Sequence, residues 1–193
     1  MRSLVLHQHP FASYCQKALI ALYELDLPFS KQLVADADAR AELAATLWPM
    51  ASIPVVHDVS ADLDLPESTT IIEYLDDVAG NGSRLIPGDH AEALQARLWD
   101  RFCDKHVATP MQKIVGDSLR PEGQSDHVGA AEARSTLDTA YTVLDAHLAG
   151  RIWAAPPPSR WPIARPRRRC SAHAPSIAGT STARSTSVAT TAT

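Results

Sequence analysis

The chain has 193 residues, 45% of them apolar, and a formal net charge of −4, so it can build a core for one domain or two small ones. No segment approaches the length needed to span a bilayer, and Met1–Leu6 lacks the apolar run of a signal peptide, so we expect a soluble cytoplasmic protein rather than a membrane protein. Its three cysteines, Cys15, Cys103 and Cys170, are odd in number and unpatterned, which fits a reducing compartment.

The first 80 residues alternate between strand and helix patterns. A strand near 2–7 precedes a helix near 13–25, on which Ala18, Leu22 and Leu25 recur at helical spacing. The residues then predict a strand near 29–34, a short helix near 37–47, a strand from Pro54 to about residue 57 and an edge strand at 63–65. A further helix begins at Ser68, and its apolar stripe consists of Ile71, Ile72, Leu75 and Val78. This half of the chain is therefore predicted to be an α/β domain.

The second half has a helical pattern only. Gly80-Asn81-Gly82 ends the preceding helix, and residues 81–89 have the composition of an interdomain linker. Two long helices are predicted near 90–119 and 127–149, each with one apolar stripe. We therefore predict a partial all-helical domain over residues 90–153.

Two predicted helix starts and one proline suit a small anion. The first N–H groups of a helix have no partner within it, and the helix dipole is positive there, so Ser13 and Cys15 lie where a thiolate is stabilised. Ser68 opens another helix, where the same groups would hold a carboxylate. Ile53-Pro54 precedes the predicted strand between them. Taken singly, each feature also fits a simpler role, as a serine cap or a trans proline at a strand start.

In this order and at these distances, Ser13-Tyr14-Cys15, Ile53-Pro54 and Glu67-Ser68 resemble the glutathione S-transferases. The resemblance implies a thioredoxin-like βαβ-ββα domain over residues 1–80, followed by an all-α C-terminal domain. It also implies transfer of the thiolate of glutathione, the cosubstrate, to a small apolar electrophile, as in detoxification. A homodimer is implied as well, with no metal and with neither a membrane nor a nucleic acid as partner.

The resemblance also implies how glutathione binds. In the family the proline at the place of Pro54 is cis, which turns the backbone of the preceding residue, here Ile53, outward to pair with the cysteinyl part of glutathione like an added strand. The helix start at Glu67 and Ser68 would receive the γ-glutamyl carboxylate.

Ser52 belongs to the same implied site but departs from the family pattern. Many relatives have a lysine there, which reaches the glycyl carboxylate of glutathione, and a serine hydroxyl carries no such charge. We expect either weaker binding of glutathione or another donor in place of the lysine, with Gln8, His9 and Trp48 as candidates.

The catalytic position departs from the pattern too. Counting back from Lys17, the family's hydroxyl would fall at position 12, which holds Ala12. Ser13, one residue later, is our candidate catalytic residue, because a hydroxyl that donates to the sulfur lowers the pKa of the thiol. Cys15 is the competing candidate: a thiol in the first helical turn has a lowered pKa and would make the protein a glutathione-dependent thiol transferase, although a buried apolar role also fits. A backbone N–H acting alone, or a non-catalytic binding or scaffold protein, are the remaining alternatives.

The electrophile pocket is predicted on the first long helix. If the two domains pack as in the family, the part of this helix around His106, Pro110 and Met111 overhangs the glutathione site. We expect these three side chains to form its wall.

The composition changes from Arg151 onward. Residues 151–193 hold seven arginines, six prolines and no acidic residue. One interpretation of residues 154–193 is a disordered basic tail that attracts nucleic acid or an acidic partner. The other is a frame-shifted translation: Ser159–Ile163, read one nucleotide earlier, allows Phe-Ser-Leu-Ala-Asp, which resembles the capping box that starts the central helix of the family's second domain. The chain would then be shorter than a complete family member and lack that helix, and resequencing the DNA near codons 155–157 tests this hypothesis.

Overall fold

Four strands form a mixed sheet in the computed structural model, which describes residues 2–80 and 85–155. They are β1 (Leu4–Gln8), β2 (Phe29–Leu33), β3 (Val55–Asp58) and β4 (Leu63–Pro66), and their order across the sheet is β2-β1-β3-β4. The central strand β1 is parallel to β2 and antiparallel to β3, with Leu6 opposite Lys31 on one side and Val56 on the other. The edge strand β4 pairs antiparallel with β3.

Helices cover both faces of this sheet. They are α1 (Ser13–Glu24), α2 (Ala37–Thr46) and α3 (Ser68–Val78). The apolar stripes of α1 and α3 pack with Val56 in the main core, whereas α2 packs through Leu43 against Val55. Since neighbouring residues of a strand point to opposite faces, α2 lies on the other side of the sheet from α1 and α3. The predicted thioredoxin-like α/β fold is confirmed, with helical structure following it as expected.

The predicted helix near 90–119 is three segments. Helix α4 (His90–Cys103) leads into a π turn over Asp104–Ala108, and α5 (Thr109–Ser118) follows. Pro110 lies in the first turn of α5, where its missing N–H and fixed φ are tolerated; inside an uninterrupted α-helix it would remove a hydrogen bond and clash with the preceding turn. The change of helical geometry just before Pro110 is therefore the physical reason why the single-helix prediction was wrong. Helix α6 (His127–Leu148) ends one residue before its predicted end.

Part of the predicted linker and tail packs against the core. Leu85 and Ile86 are buried in the main core, and the Leu85 N–H donates to the Asp76 carboxylate. Ala155 is buried in the same core, and the ring of His147 contacts the Ala154 carbonyl oxygen at 2.8 Å. Residues 85–86 and 154–155 are therefore buried residues, although they were predicted to belong to the linker and the basic tail. Residues 81–84 of the predicted linker lie outside the described residues.

The interpretations of the basic tail fall on residues 156–193 and lie outside the described residues. Among the residues that are described, every helix is too short or too polar to cross a membrane.

Candidate functional site

A cleft of about 430 Å³ lies between the sheet's loops and the helical second half. All five residues that the resemblance assigned to glutathione line it: Ser52, Ile53, Pro54, Glu67 and Ser68. The peptide bond between Ile53 and Pro54 is cis, as the resemblance implied. Residues from two separate loops thus converge on one space, because antiparallel β3 and β4 bring the residues before Val55 beside those after Pro66.

The loop before β3 is held by its own side chains. The Trp48 indole N–H donates to the Ser52 hydroxyl at 3.0 Å, and Trp48 and Ile53 pack against the buried cluster of Val34, Leu43 and Val55. This anchoring fixes Ser52 at the cleft. The indole of Trp48, one of the predicted replacement donors, is engaged by the serine.

The start of α3 presents backbone donors. Its cap residue Glu67 has φ +67° and ψ +116° and makes no side-chain hydrogen bond to the helix start. A positive φ is uncommon for a residue other than glycine and is found at binding sites that fix the backbone. Ser68 begins the helix and is buried at the cleft. The first N–H groups of α3 and its dipole therefore favour an anion beside Ser68.

The start of α1 also lacks a side-chain cap. Ala12 occupies the cap position, and the residue of this turn that lines the cleft is Tyr14. The Tyr14 hydroxyl lies 3.3 Å from the Asp104 carbonyl oxygen and 3.3 Å from the Thr109 hydroxyl oxygen. Ser13 is half-buried beside the cleft lining, and its hydroxyl accepts a long hydrogen bond of 3.4 Å from Gln112. The catalytic role of Ser13 stays a prediction, while Tyr14 is a candidate that the sequence reasoning passed over.

Cys15 takes the buried position that was one of its two predicted roles. Its side chain is fully buried, and this burial raises the pKa of the thiol, against a smaller lowering by a backbone hydrogen bond from His9. The expectation of a lowered pKa at Cys15 was wrong, because the residue faces the core rather than the exposed helix start.

The opposite wall of the cleft is polar. It consists of Arg101 at the end of α4, Asp104 and Lys105 in the π turn, and Thr109 at the start of α5. These positions recur at three- to four-residue spacing and therefore share one helix face.

The three residues predicted for the electrophile wall lie elsewhere. His106 lines a second groove of about 310 Å³ against α6, with its ring 5.2 Å from that of Phe102. Pro110 is buried, Met111 is exposed, and neither lines the cleft. The cleft is lined instead by Asp104, Lys105 and Thr109 of the same helical stretch. Their role as the wall of the electrophile pocket stays a prediction for His106, Pro110 and Met111.

A buried ion cluster joins the two halves next to the cleft. The Lys17 ammonium of α1 lies 2.7 Å from a carboxylate oxygen of Asp100 and 2.8 Å from one of Asp104. The Thr69 hydroxyl donates to Asp100 at 2.6 Å, and Arg101 lies 3.2 Å from Asp104. Burial raises the pKa of Asp104, although the hydrogen bond from Lys17 partly opposes this effect. This cluster sets the position of the polar wall relative to α1.

The part of the chain that is described contains no group of three or more histidine, cysteine, aspartate or glutamate side chains arranged to hold a metal ion.

Residues 6–83 match the family model described as the glutathione S-transferase N-terminal domain. This part of the chain is similar to the N-terminal domain of the glutathione S-transferases. The matched segment contains the start of α1, the cis peptide bond and the start of α3. The chain is 34% identical over 94 residues to the maize protein named glutathione transferase GST 23, a match that covers 48% of this chain and 39% of that protein. The chain spans between 39% and 54% of the length of the curated relatives it matches.

Solved structures share the fold. A glutathione S-transferase from Methylobacillus flagellatus with GSH bound has a TM-score of 0.74 at 24% identity, covering 82% of this chain and 77% of that one. The nitrogen regulation fragment of the yeast prion protein Ure2p has a TM-score of 0.68 at 22% identity, covering 77% of this chain and 67% of that one. At these identities the likeness shows the fold alone.

Proposed function

We propose that this chain is a glutathione S-transferase that binds glutathione in the cleft and activates its thiol for attack on a small electrophile. The observation that supports this most is the convergence of the Ile53-Pro54 edge and the start of α3 on one cleft of about 430 Å³. That volume lies within the usual range of ligand pockets, about 300–1,000 Å³. A similarly folded Methylobacillus enzyme is described with GSH bound.

The tripeptide would lie across the two loops. Its γ-glutamyl carboxylate would accept from the N–H groups and hydroxyl at Ser68, and the Glu67 carboxylate would face the adjacent ammonium group. The cysteinyl backbone would pair with Ile53 as a short added strand. This placement directs the sulfur towards the start of α1.

The thiol would be activated by donors at that helix start. A donor aimed at the sulfur stabilises the thiolate over the thiol and so lowers the pKa of the thiol. The Tyr14 hydroxyl lines the cleft, and its long contacts of 3.3 Å are weak enough for a thiolate to replace. We assign the donation to Tyr14 ahead of Ser13, with the first N–H groups of α1 adding to it. The protein would act as a cytoplasmic homodimer in detoxification.

A conjugation assay tests the proposal. Purified full-length chain is incubated with glutathione and chlorodinitrobenzene, and thioether formation is compared with the uncatalysed rate. We expect Tyr14→Phe to lower kcat/KM about ten- to a hundredfold, because it removes a hydrogen bond to a charged group, and Ser13→Ala to lower it less. Tyr141→Phe, an exposed tyrosine on α6, is the matched control. A large loss in Ser13→Ala alone would return the role to Ser13, and a rate equal to the uncatalysed one in the wild type would refute a transferase.

A non-catalytic binding protein is the second candidate function. Ala12 and Ser52 stand where the family pattern has a hydroxyl and a cation, and the same fold occurs in a protein fragment described by its role in nitrogen regulation. Such a protein would bind glutathione, and so be retained on immobilised glutathione, without accelerating conjugation.

A thiol transferase acting through Cys15 is less compatible with the geometry, since the thiol is buried and its pKa is raised. Cys15→Ala would abolish disulfide exchange with a glutathione mixed disulfide if Cys15 were the nucleophile. We expect no exchange activity above background in either protein.

A further inference from the structure

The wall that faces the glutathione loops is charged, although an apolar electrophile would be better matched by apolar side chains. Arg101, Asp104, Lys105 and Thr109 form this wall, and Tyr14, Ile53 and Pro54 also line the cleft. A pocket that accepts only apolar molecules would leave these polar groups desolvated without new partners, which is unfavourable. The polar wall therefore favours substrates that offer partners to its charged groups.

The charges of the wall do not all cancel within the protein. Lys17 lies within 2.8 Å of both Asp100 and Asp104, and Arg101 is 3.2 Å from Asp104, so two cations offset two carboxylates. Lys105 is exposed, and among residues 2–80 and 85–155 it has no carboxylate within ion-pair distance. Lys105 is thus the cation of the wall that remains available to a bound molecule.

The order of residues along the wall places Lys105 between the two ends of the cleft. Arg101 contacts Thr69 of α3 at 2.9 Å and so lies at the γ-glutamyl end of the cleft. Thr109 contacts Tyr14 of α1 and lies at the other end. Lys105 is one turn beyond Arg101 and one turn before Thr109, and its neighbour Asp104 accepts from the Tyr14 hydroxyl.

We propose that Lys105 selects electrophiles that carry a carboxylate or a similar anionic group, an inference that rests on the proposed glutathione transferase function. The thiol proton leaves to solvent, the thiolate attacks the carbon that bears a halide, a C–S bond forms, and the halide departs with the electron pair of its bond. Lys105 takes no part in these bonds. It attracts the anionic group of the electrophile and so holds the reacting carbon beside the sulfur.

The test compares two electrophiles that differ in one charge, a chlorodinitrobenzoate and its methyl ester, with each enzymatic rate divided by its uncatalysed rate. We expect the wild type to prefer the benzoate. Lys105→Gln should lower the ratio of kcat/KM for benzoate over ester about fivefold, Lys105→Glu should lower it further, and Lys105→Arg should retain it. Added salt should move the wild-type ratio towards that of Lys105→Gln, because an exposed charge is screened.

Lys31→Gln is the matched control, since Lys31 is an exposed lysine on β2, outside the cleft lining. An unchanged ratio in Lys105→Gln, with ester conjugation intact, would overturn this inference and leave the proposed function standing. Absence of conjugation with both electrophiles in the wild type would overturn both.

Discussion

Replacing Lys17 with methionine should destabilise the protein more than any exposed lysine substitution. The Lys17 side chain is 9% exposed, its partner Asp100 is fully buried, and Asp104 is 12% exposed. Lys17→Met keeps the length of the side chain but leaves two buried carboxylates close to each other without their shared cation. Charge removal, rather than loss of packing, is therefore the perturbation.

The expected magnitude follows from that geometry. Removing one partner of a buried ion pair costs about 3–5 kcal/mol, since the other charge stays buried. Thr69 still donates to Asp100 and Arg101 still lies near Asp104, which places the expected loss near the lower limit, about 3 kcal/mol. A domain has a free energy of unfolding of about 5–15 kcal/mol, so this loss is a large fraction of it.

Urea unfolding followed by circular dichroism gives the free energy of unfolding of wild type, Lys17→Met and the exposed control Lys31→Met. Burial raises the pKa of Asp104 above 3.8. The loss of unfolding free energy in Lys17→Met should therefore be largest at a pH above this raised pKa. It should shrink as the pH falls through the pKa, because the Asp104 carboxylate becomes neutral. The double variant Lys17→Met/Asp104→Asn should recover part of the loss and remains measurable if the single variant does not fold. A loss in Lys17→Met no larger than that in Lys31→Met would refute the reasoning.

Three further predictions concern other parts of the structure. Burial raises the pKa of Asp58, but hydrogen bonds from Tyr74 and other donors outweigh this effect and hold the pKa below 3.8. The stability that the Asp58 carboxylate provides should therefore be present above pH 3.8 and be lost as the pH falls through the lowered pKa. Asp58→Asn should flatten the acid limb of a curve of stability against pH measured by thermal unfolding. Cys15 should react with iodoacetamide more slowly in the folded chain than in urea at the same pH, because it is buried and its pKa is raised; equal rates would contradict this. Leu85→Ala should lower the free energy of unfolding by about 2–5 kcal/mol, whereas Leu33→Ala at an exposed position should have a small effect; similar values for both would show that Leu85 is not part of the core.

The secondary structure of the first half could be predicted because its signals are local. Helix α1 was predicted over 13–25 and extends over Ser13–Glu24, and each strand was placed within two residues of its observed bounds. Helical spacing of apolar residues and the turn at residues 58–62 depend only on near neighbours. The five residues that the resemblance assigned to glutathione meet in one cleft, and their binding role stays a prediction.

The wall of the cleft could not be predicted in the same way. An apolar stripe indicates which face of a helix is buried, but the π turn at 104–108 changes the phase of the helix between Phe102 and Met111. Lys105 lines the cleft, whereas the predicted His106 lines the groove against α6. The nearby Pro110 was the local signal of this change.

Lys17 was missed although the sequence holds a signal for it. It lies on α1 among the buried residues Cys15, Ala18 and Ala21, and a lysine among buried positions needs a carboxylate partner. The partner pair, Asp100 and Asp104, is four residues apart and 83 or more residues away in the chain, so only the packing of the two halves shows which acids Lys17 meets. The sequence therefore shows a buried lysine and two acidic residues separately, but not that they are partners.

Isothermal titration calorimetry of the folded chain with glutathione measures the proposed binding itself. We predict binding heat from one site per chain, an affinity about ten- to a hundredfold weaker in Ser68→Ala, which removes a hydrogen bond to a charged group, and no change in the exposed control Ser118→Ala. Absence of heat with a chain whose circular dichroism shows it to be folded, or equal affinity in Ser68→Ala and the wild type, would contradict it.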